Sequence, residues 1–257
     1  MNIALAGSGN VATHLARALR DAGHKIVAVA SAHAENAARL ASETGAAAVE
    51  TVSELPVGSC DVVIIAVSDS AVESVASELP VSDAIVAHTS GSVPLSALTA
   101  RHPNAGVFYP LQTFSRTAEV DISKVPFFIE GSDARVAESL TELARQLSDN
   151  VHPADSAVRA RLHIAGVLTS NFPIYLLEMA REVLGDIPLD VVEPLAYASL
   201  AKAFAHSPLK AITGPARRGD VSVIHRQAAN ITDALHQRIY LDLSEAILRQ
   251  FHPDKII

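Results

Sequence analysis

The sequence predicts an α/β fold, a doubly wound parallel sheet followed by an all-helical C-terminal domain. Three observations carry this. Short apolar runs alternate with helical patterns through the first 153 residues. A glycine turn, Gly7-Ser8-Gly9-Asn10-Val11-Ala12, stands between the first apolar run and the first helical pattern. Beyond residue 153 no strand signal occurs, which places the domains at 1–153 and 154–257. Alternation of strand and helix is the signature of a parallel sheet covered on both faces, with ligands at the carboxyl ends of its strands.

Asn2–Ala6 reads as a buried strand because it is a continuous apolar run. A helix follows to about Asp21, then a second strand over Lys25–Ala30. Helical spacing returns from Ala34 to Thr44, and Ala46–Val49 is a short strand. Asp61–Val67 is another apolar strand, and Ser68-Asp69 supplies a cap for a helix to about Leu79. Ala84–Ala87, Gly106–Tyr109 and Pro126–Glu130 complete the strands, and Arg135–Leu147 is a helix. From Asp155 to about Leu184 runs one long helical pattern, broken only by Pro173, which removes a hydrogen bond to Thr169 and predicts a kink. A helix of that length spans about 45 Å, longer than a small domain needs, and predicts a homodimer through the helical domain. Further helices are expected at Val191–Ala205 and, with a break, at Ser222–Gln250.

Composition excludes several classes. The 257 residues are 49% hydrophobic, with a mean hydropathy of +0.26, enough for a sizeable core. No apolar run reaches the roughly 18 residues of a membrane span, and no signal-peptide pattern opens the chain. Cys60 is the single cysteine, which excludes an intrachain disulfide and suits the cytoplasm. A net charge of −8 without a basic block argues against nucleic acid or anionic membrane as partner. No two histidines stand at H-x-x-x-H spacing, so no metal is expected.

The glycine turn carries the first chemistry. Gly7 permits a tight turn, Gly9 lets backbone approach a pyrophosphate, and Ala12 is small enough for close helix–strand packing. The helix N-terminus aims N–H groups at the phosphates, so Gly7 through Ala12 are expected to bind a dinucleotide. At the tip of the second strand Ser31 and His33 replace the usual acid. Ser31 can donate to a 2′-phosphate and a protonated His33 would add charge, which favours NADP, with NAD possible. Val67 and Ser68, at the carboxyl end of the fourth strand, are expected alongside the ribose and nicotinamide; Asp69 reads as a helix cap.

The fifth strand ends in His88-Thr89-Ser90-Gly91-Ser92. His88, Ser90 and Gly91 are candidate holders of a small-molecule substrate's carboxylate or carbonyl, and Ser92 a cap for a helix beginning at Pro94. On the long helix, positions 163, 167, 170, 171 and 174 share one face at α spacing. His163 is the candidate proton donor to a carbonyl or imine, with Asn171 orienting it; a satisfied core histidine is the competing reading. Arg218 is a candidate anion holder or, equally, a clip to Asp220.

These motifs occur in an order that resembles a bacterial family. The glycine turn, Asp61–Asp69, His88–Ser92, Gly106-Val107-Phe108-Tyr109-Pro110-Leu111-Gln112-Thr113-Phe114, His163 through Phe172, and Thr213-Gly214-Pro215 with Arg218-Gly219-Asp220 are similar to Rossmann-like proteins that carry a C-terminal helical domain of unknown function. Those proteins are related to pyrroline-5-carboxylate reductase, ketopantoate reductase and the β-hydroxyacid dehydrogenases. The resemblance implies NAD(P) at the glycine turn, a dimer built on the helical domain, and a pocket between His88–Ser92 and the helix bearing His163. Two departures matter. Tyr109 stands where the family often has His, and Val167 stands where the β-hydroxyacid dehydrogenases place a catalytic Lys four residues before Asn. The expected activity is reduction of a small carbonyl or imine acid by hydride transfer. The alternative is a non-catalytic dinucleotide-binding sensor or regulatory protein.

Overall fold

A computed structural model describes residues 1–115 and 119–257. Its contacts divide the chain into two compact units, Met1–Ser170 and Asn171–Ile257.

The first unit is an eight-stranded sheet. Its strands are β1 (Asn2–Ala6), β2 (Lys25–Ala30), β3 (Ala47–Val49), β4 (Val62–Ile65), β5 (Ile85–His88), β6 (Ala105–Pro110), β7 (Phe127–Gly131) and β8 (Val151–Pro153). Their spatial order is β3-β2-β1-β4-β5-β6-β7-β8. All neighbours pair parallel except β6 and β7, which run antiparallel. The order reverses between β1 and β4, the point at which open sheets of this kind bind ligands. The helices are α1 (Asn10–Asp21), α2 (Ala34–Thr44), α3 (Val72–Glu78), α4 (Ser96–Thr99), α5 (Ala134–Arg145) and α6 (Ser156–Gly166).

Alternation along the strands builds two cores. Ile3, Leu5, Val62 and Ile64 pack on one face with Leu15, Leu19, Leu40 and Leu140. Ala4, Ala6, Val63 and Ile65 pack on the other with Val72, Ala76 and Leu98. The period of two assigns every second side chain to each face, and a layer of helices covers both.

β8 is an addition to the sequence reading. Three residues containing His and Pro give too short a run to register as a strand. The helix expected at Pro94 is a single turn, α4, and its N-cap is Leu95 with no side-chain bond. Ser92 donates its hydroxyl to Asp69 instead. Asp69 in turn lies inside a 3₁₀ turn, Asp69–Ala71, whose N-cap Ser68 makes no side-chain cap bond. The two residues expected to cap helices bond to each other.

The long helical pattern is realised as α6, a π segment (Val167–Asn171) and α7 (Phe172–Leu184). Pro173 sits in the first turn of α7, and the π turn absorbs its missing N–H. That turn also breaks the strict α register on which the stripe 163–174 was drawn. The junction expected near residue 153 falls inside the first unit, because α6 is tied to the sheet. Arg159 on α6 is fully buried; it pairs with Glu130 on β7 and donates to the Val93 carbonyl at 2.8 Å.

The second unit continues from α7 with α8 (Glu193–Ala205), α9 (Pro208–Ala211), α10 (Pro215–Arg218), α11 (Val221–Ala228) and α12 (Ala234–Phe251). Its buried apolar side chains are few: Met179, Ala216, Ile224, Ala228 and Leu248. No residue of α8 is buried. Among the described residues no helix is long and apolar enough to cross a membrane.

Candidate functional site

A cleft of about 740 Å³ lies over the carboxyl ends of β1, β2 and β4. Gly7, Ser8, Gly9, Asn10 and Val11 form one wall, Ser31 and His33 a second, Val67 and Ser68 a third. Ala12 is fully buried beneath, where its small side chain lets α1 approach the sheet. Gly7 has φ +122°, and a Cβ there would stand 2.2 Å from the Ala66 carbonyl oxygen. Gly9 is the opposite case: a Cβ would meet nothing within 4 Å. The turn is therefore pressed against β4 at one glycine and open to the cleft at the other.

The start of α1 is built to receive an anion. Its N-cap is Gly9, no side chain caps it, and its first turn holds no acid. The first N–H groups of a helix have no partner within the helix, and a phosphate is a natural one. Asn10 lines the cleft, but its amide donates to the Phe114 carbonyl at 2.9 Å. His14 Nε2 donates to the Ser115 carbonyl, also at 2.9 Å, and its ring lies 5.1 Å from that of Phe114. These bonds hold Phe114 as a cleft wall. Sequence reasoning quoted Phe114 only as part of a motif, since its approach to α1 spans a separation of 104 residues. Asn36, Glu50 and Thr89 also line the cleft and were not singled out.

At the β2 tip, Ser31 Oγ accepts from Ser8 Oγ at 2.7 Å and from the His33 N–H at 3.3 Å. With its oxygen so engaged, the Ser31 hydroxyl is set to donate to an acceptor in the cleft.

The loop after β5 is organised from beneath. His88 is fully buried, and its Nδ1 accepts the Ser90 N–H at 3.2 Å. A substrate cannot reach it, so the substrate contact expected of His88 becomes support for the loop. Burial, then the nearby Arg159 charge, push its imidazole down to about 4, so it is neutral at physiological pH. Ser90 Oγ accepts the N–H groups of Ser92 and Val93 at 3.1 and 3.0 Å, which shapes the turn. Gly91 is buried: a Cβ there would stand 2.6 Å from Tyr109 Cζ and 3.0 Å from His163 Cβ. Tyr109 and His163 are joined through the phenol oxygen and Nδ1 at 3.3 Å. Burial first, then the Asp69 charge, raise the Tyr109 hydroxyl above its ordinary value, which keeps it protonated.

Asn171 closes the π segment and opens the second unit. In that unit Arg218 Nε donates to Asp220 at 3.0 Å, the clip that the sequence offered as one of two readings. The same unit holds a cluster the sequence did not signal. His236 is buried, with Nε2 at 3.0 Å from Tyr175 Oη and Nδ1 at 3.0 Å from Glu182. Among the described residues no group of three or more His, Cys, Asp or Glu is placed to hold a metal ion.

Comparison with known proteins gives a consistent picture. Residues 2–89 match the family model described as NADP oxidoreductase, coenzyme F420-dependent, and residues 125–247 match a domain of unknown function, DUF2520. No curated protein matches the chain. Among solved structures, BF3122 from Bacteroides fragilis, described as a candidate NADP oxidoreductase, is 36% identical, with 96% of this chain and 98% of that one covered and a TM-score of 0.87. Pyrroline-5-carboxylate reductase of Streptococcus pyogenes shares the fold at 15% identity, TM-score 0.63, over 96% of this chain and 98% of that one. So does an imine reductase of Myxococcus stipitatus in complex with NADP+, at 13% identity, TM-score 0.63, over 98% and 93%. With its Rossmann sheet, its glycine turn and this match along nearly its whole length, the chain belongs to the family of BF3122, in which an NADP oxidoreductase-type domain is joined to a C-terminal domain of unknown function.

Proposed function

We propose that the protein binds NADP(H) along the cleft and reduces a small carbonyl or imine acid. The observation that carries this is the uncapped N-terminus of α1 beneath an open Gly9. The donor-set Ser31 hydroxyl, with no acid on β2's tip, favours NADP over NAD. Glu50 lines the same cleft and can accept from a ribose hydroxyl, so NADH is the necessary comparison. When bound, the reduced cofactor supplies a hydride to the substrate carbon. The oxygen or nitrogen on which negative charge develops would accept a hydrogen bond from His163, with the net proton drawn from solvent water. The loop Ser90–Ser92 continues from Thr89 at the cleft and is assigned the anionic end of the substrate. The named imine-reducing neighbours favour an imine, which needs little help from a protein acid because it can arrive protonated.

Titration with NADPH and NADH, followed by cofactor fluorescence, tests the reading, with Gly9→Asp as control. A carboxylate at Gly9 would stand in the phosphate position and repel it. A second reading, a dinucleotide-binding sensor without chemistry, is favoured by Val167 at the position of the dehydrogenases' Lys. NADPH binding without turnover of any cyclic imine, 2-oxo acid or 3-oxo acid supports it.

We further infer that two copies associate through the helical unit. On α8, Leu195, Tyr197, Leu200 and Phe204 are all more than half exposed, Phe204 at 83%. A monomer rarely leaves such a surface in water. Sedimentation should give about twice the 27.0 kDa chain mass, and a Leu195→Glu, Phe204→Glu variant should sediment as a monomer. A wild-type monomer at micromolar concentration contradicts this.

A further inference from the structure

We propose that Tyr109 is a positioning residue for His163: its hydroxyl donates to Nδ1, fixing the imidazole as the tautomer that carries its proton on Nε2. The inference rests on the reading of His163 as the group facing the substrate, and it specifies which atom does so and what sets it.

The geometry lies within the sheet unit. Tyr109 closes β6 and is 7% exposed. Its oxygen has one recorded hydrogen-bond partner among the described residues, His163 Nδ1 at 3.3 Å. The two rings are tilted at 60° with centroids 6.4 Å apart, so they meet through these edge atoms and not by stacking. A buried O–H without an acceptor costs about 1–3 kcal/mol. The phenol therefore donates and Nδ1 accepts. A neutral imidazole that accepts at one nitrogen carries its proton at the other. Nε2 makes no hydrogen bond to a described residue, and the half-buried ring leaves it for a ligand.

Gly91 makes the approach possible. Any side chain there would meet Tyr109 Cζ at 2.6 Å, its oxygen at 2.8 Å and His163 Cβ at 3.0 Å. Lacking a side chain, Gly91 lets the pair pack against the loop that follows Thr89, a cleft residue. The outcome is an N–H donor, held in one tautomer beside the cofactor cleft, suited to a carbonyl oxygen or imine nitrogen on which charge develops. The pair also supplies a role for Tyr109 in place of the family's His.

Nitrogen-15 ring spectra of the full-length protein test this directly, with His163 identified by the signals lost in His163→Gln. At a pH where the imidazole is neutral, the wild type should show an unprotonated Nδ1 and a protonated Nε2. Tyr109→Phe should replace that pattern with a tautomer mixture. Gly91→Ala, which wedges the pair apart, should do the same. Circular dichroism checks that each variant is folded. A wild-type proton on Nδ1, or a tautomer unchanged in Tyr109→Phe, overturns the proposal. The spectra need no cofactor, so failure to bind NADPH sinks the oxidoreductase reading separately.

Discussion

Arg159→Ala should destabilise the sheet unit by about 3–5 kcal/mol, a large share of the roughly 5–15 kcal/mol that holds a domain together. The guanidinium is fully buried between α6, β7 and the loop after β5. It pairs with Glu130, whose side chain is 18% exposed, and donates to the Val93 carbonyl. Ser156 adds to the knot, donating to Glu130 at 3.0 Å and accepting the Leu95 N–H at 3.2 Å. Removing the arginine strands a carboxylate and a carbonyl away from water, and the loss comes from those orphans more than from the pair's net attraction. Arg159→Met with Glu130→Gln should therefore recover much of the loss, because it removes the charges together and keeps the volume. Urea unfolding of the three proteins measures this. An Arg159→Ala protein within about 0.5 kcal/mol of wild type would show that the pair does not anchor α6.

Acid should weaken the fold through His88. Its folded-state value is about 4, against an ordinary 6.5, chiefly because it is buried and secondly because Arg159 is near. Between those values the unfolded chain binds a proton that the folded protein refuses. The contribution is fully present above pH 6.5 and is lost as pH falls toward 4. The shift corresponds to about 3 kcal/mol. His88→Asn keeps an acceptor for the Ser90 N–H and has no proton to gain. Its stability should fall less than that of wild type over that window, by about the same 3 kcal/mol. Parallel curves would mean that His88 accepts its proton without cost. Arg159→Ala also removes part of what depresses His88, so the two substitutions should not be additive.

Local chemistry made the nucleotide half legible. The bounds of β1 and β2 and the end of α1 at Asp21 coincide with those read from the sequence, since glycine turns and apolar runs are short-range signals. The two departures of the sheet from the parallel pattern, β7 and β8, depend on which strands meet, and no local signal states that. Side-chain partners were the least legible. Ser92 finds Asp69 across 23 residues, and Tyr109 finds His163 across 54. Asp69 and Ser92 each sit where a cap would serve, and tertiary pairing prevailed over that local preference. α6 reads as the start of the helical domain by periodicity, yet Arg159 binds it to the sheet. For His88, the sequence located the loop; only burial revealed that the ring supports it from below.

The most direct test of the account is fluorescence titration of the purified protein with NADPH and NADH beside the Gly9→Asp variant. The account predicts micromolar binding of NADPH, weaker binding of NADH, and loss of both in the variant. Binding of neither cofactor by the wild type, or equal binding by Gly9→Asp, would contradict the claim that the turn at the start of α1 holds a dinucleotide.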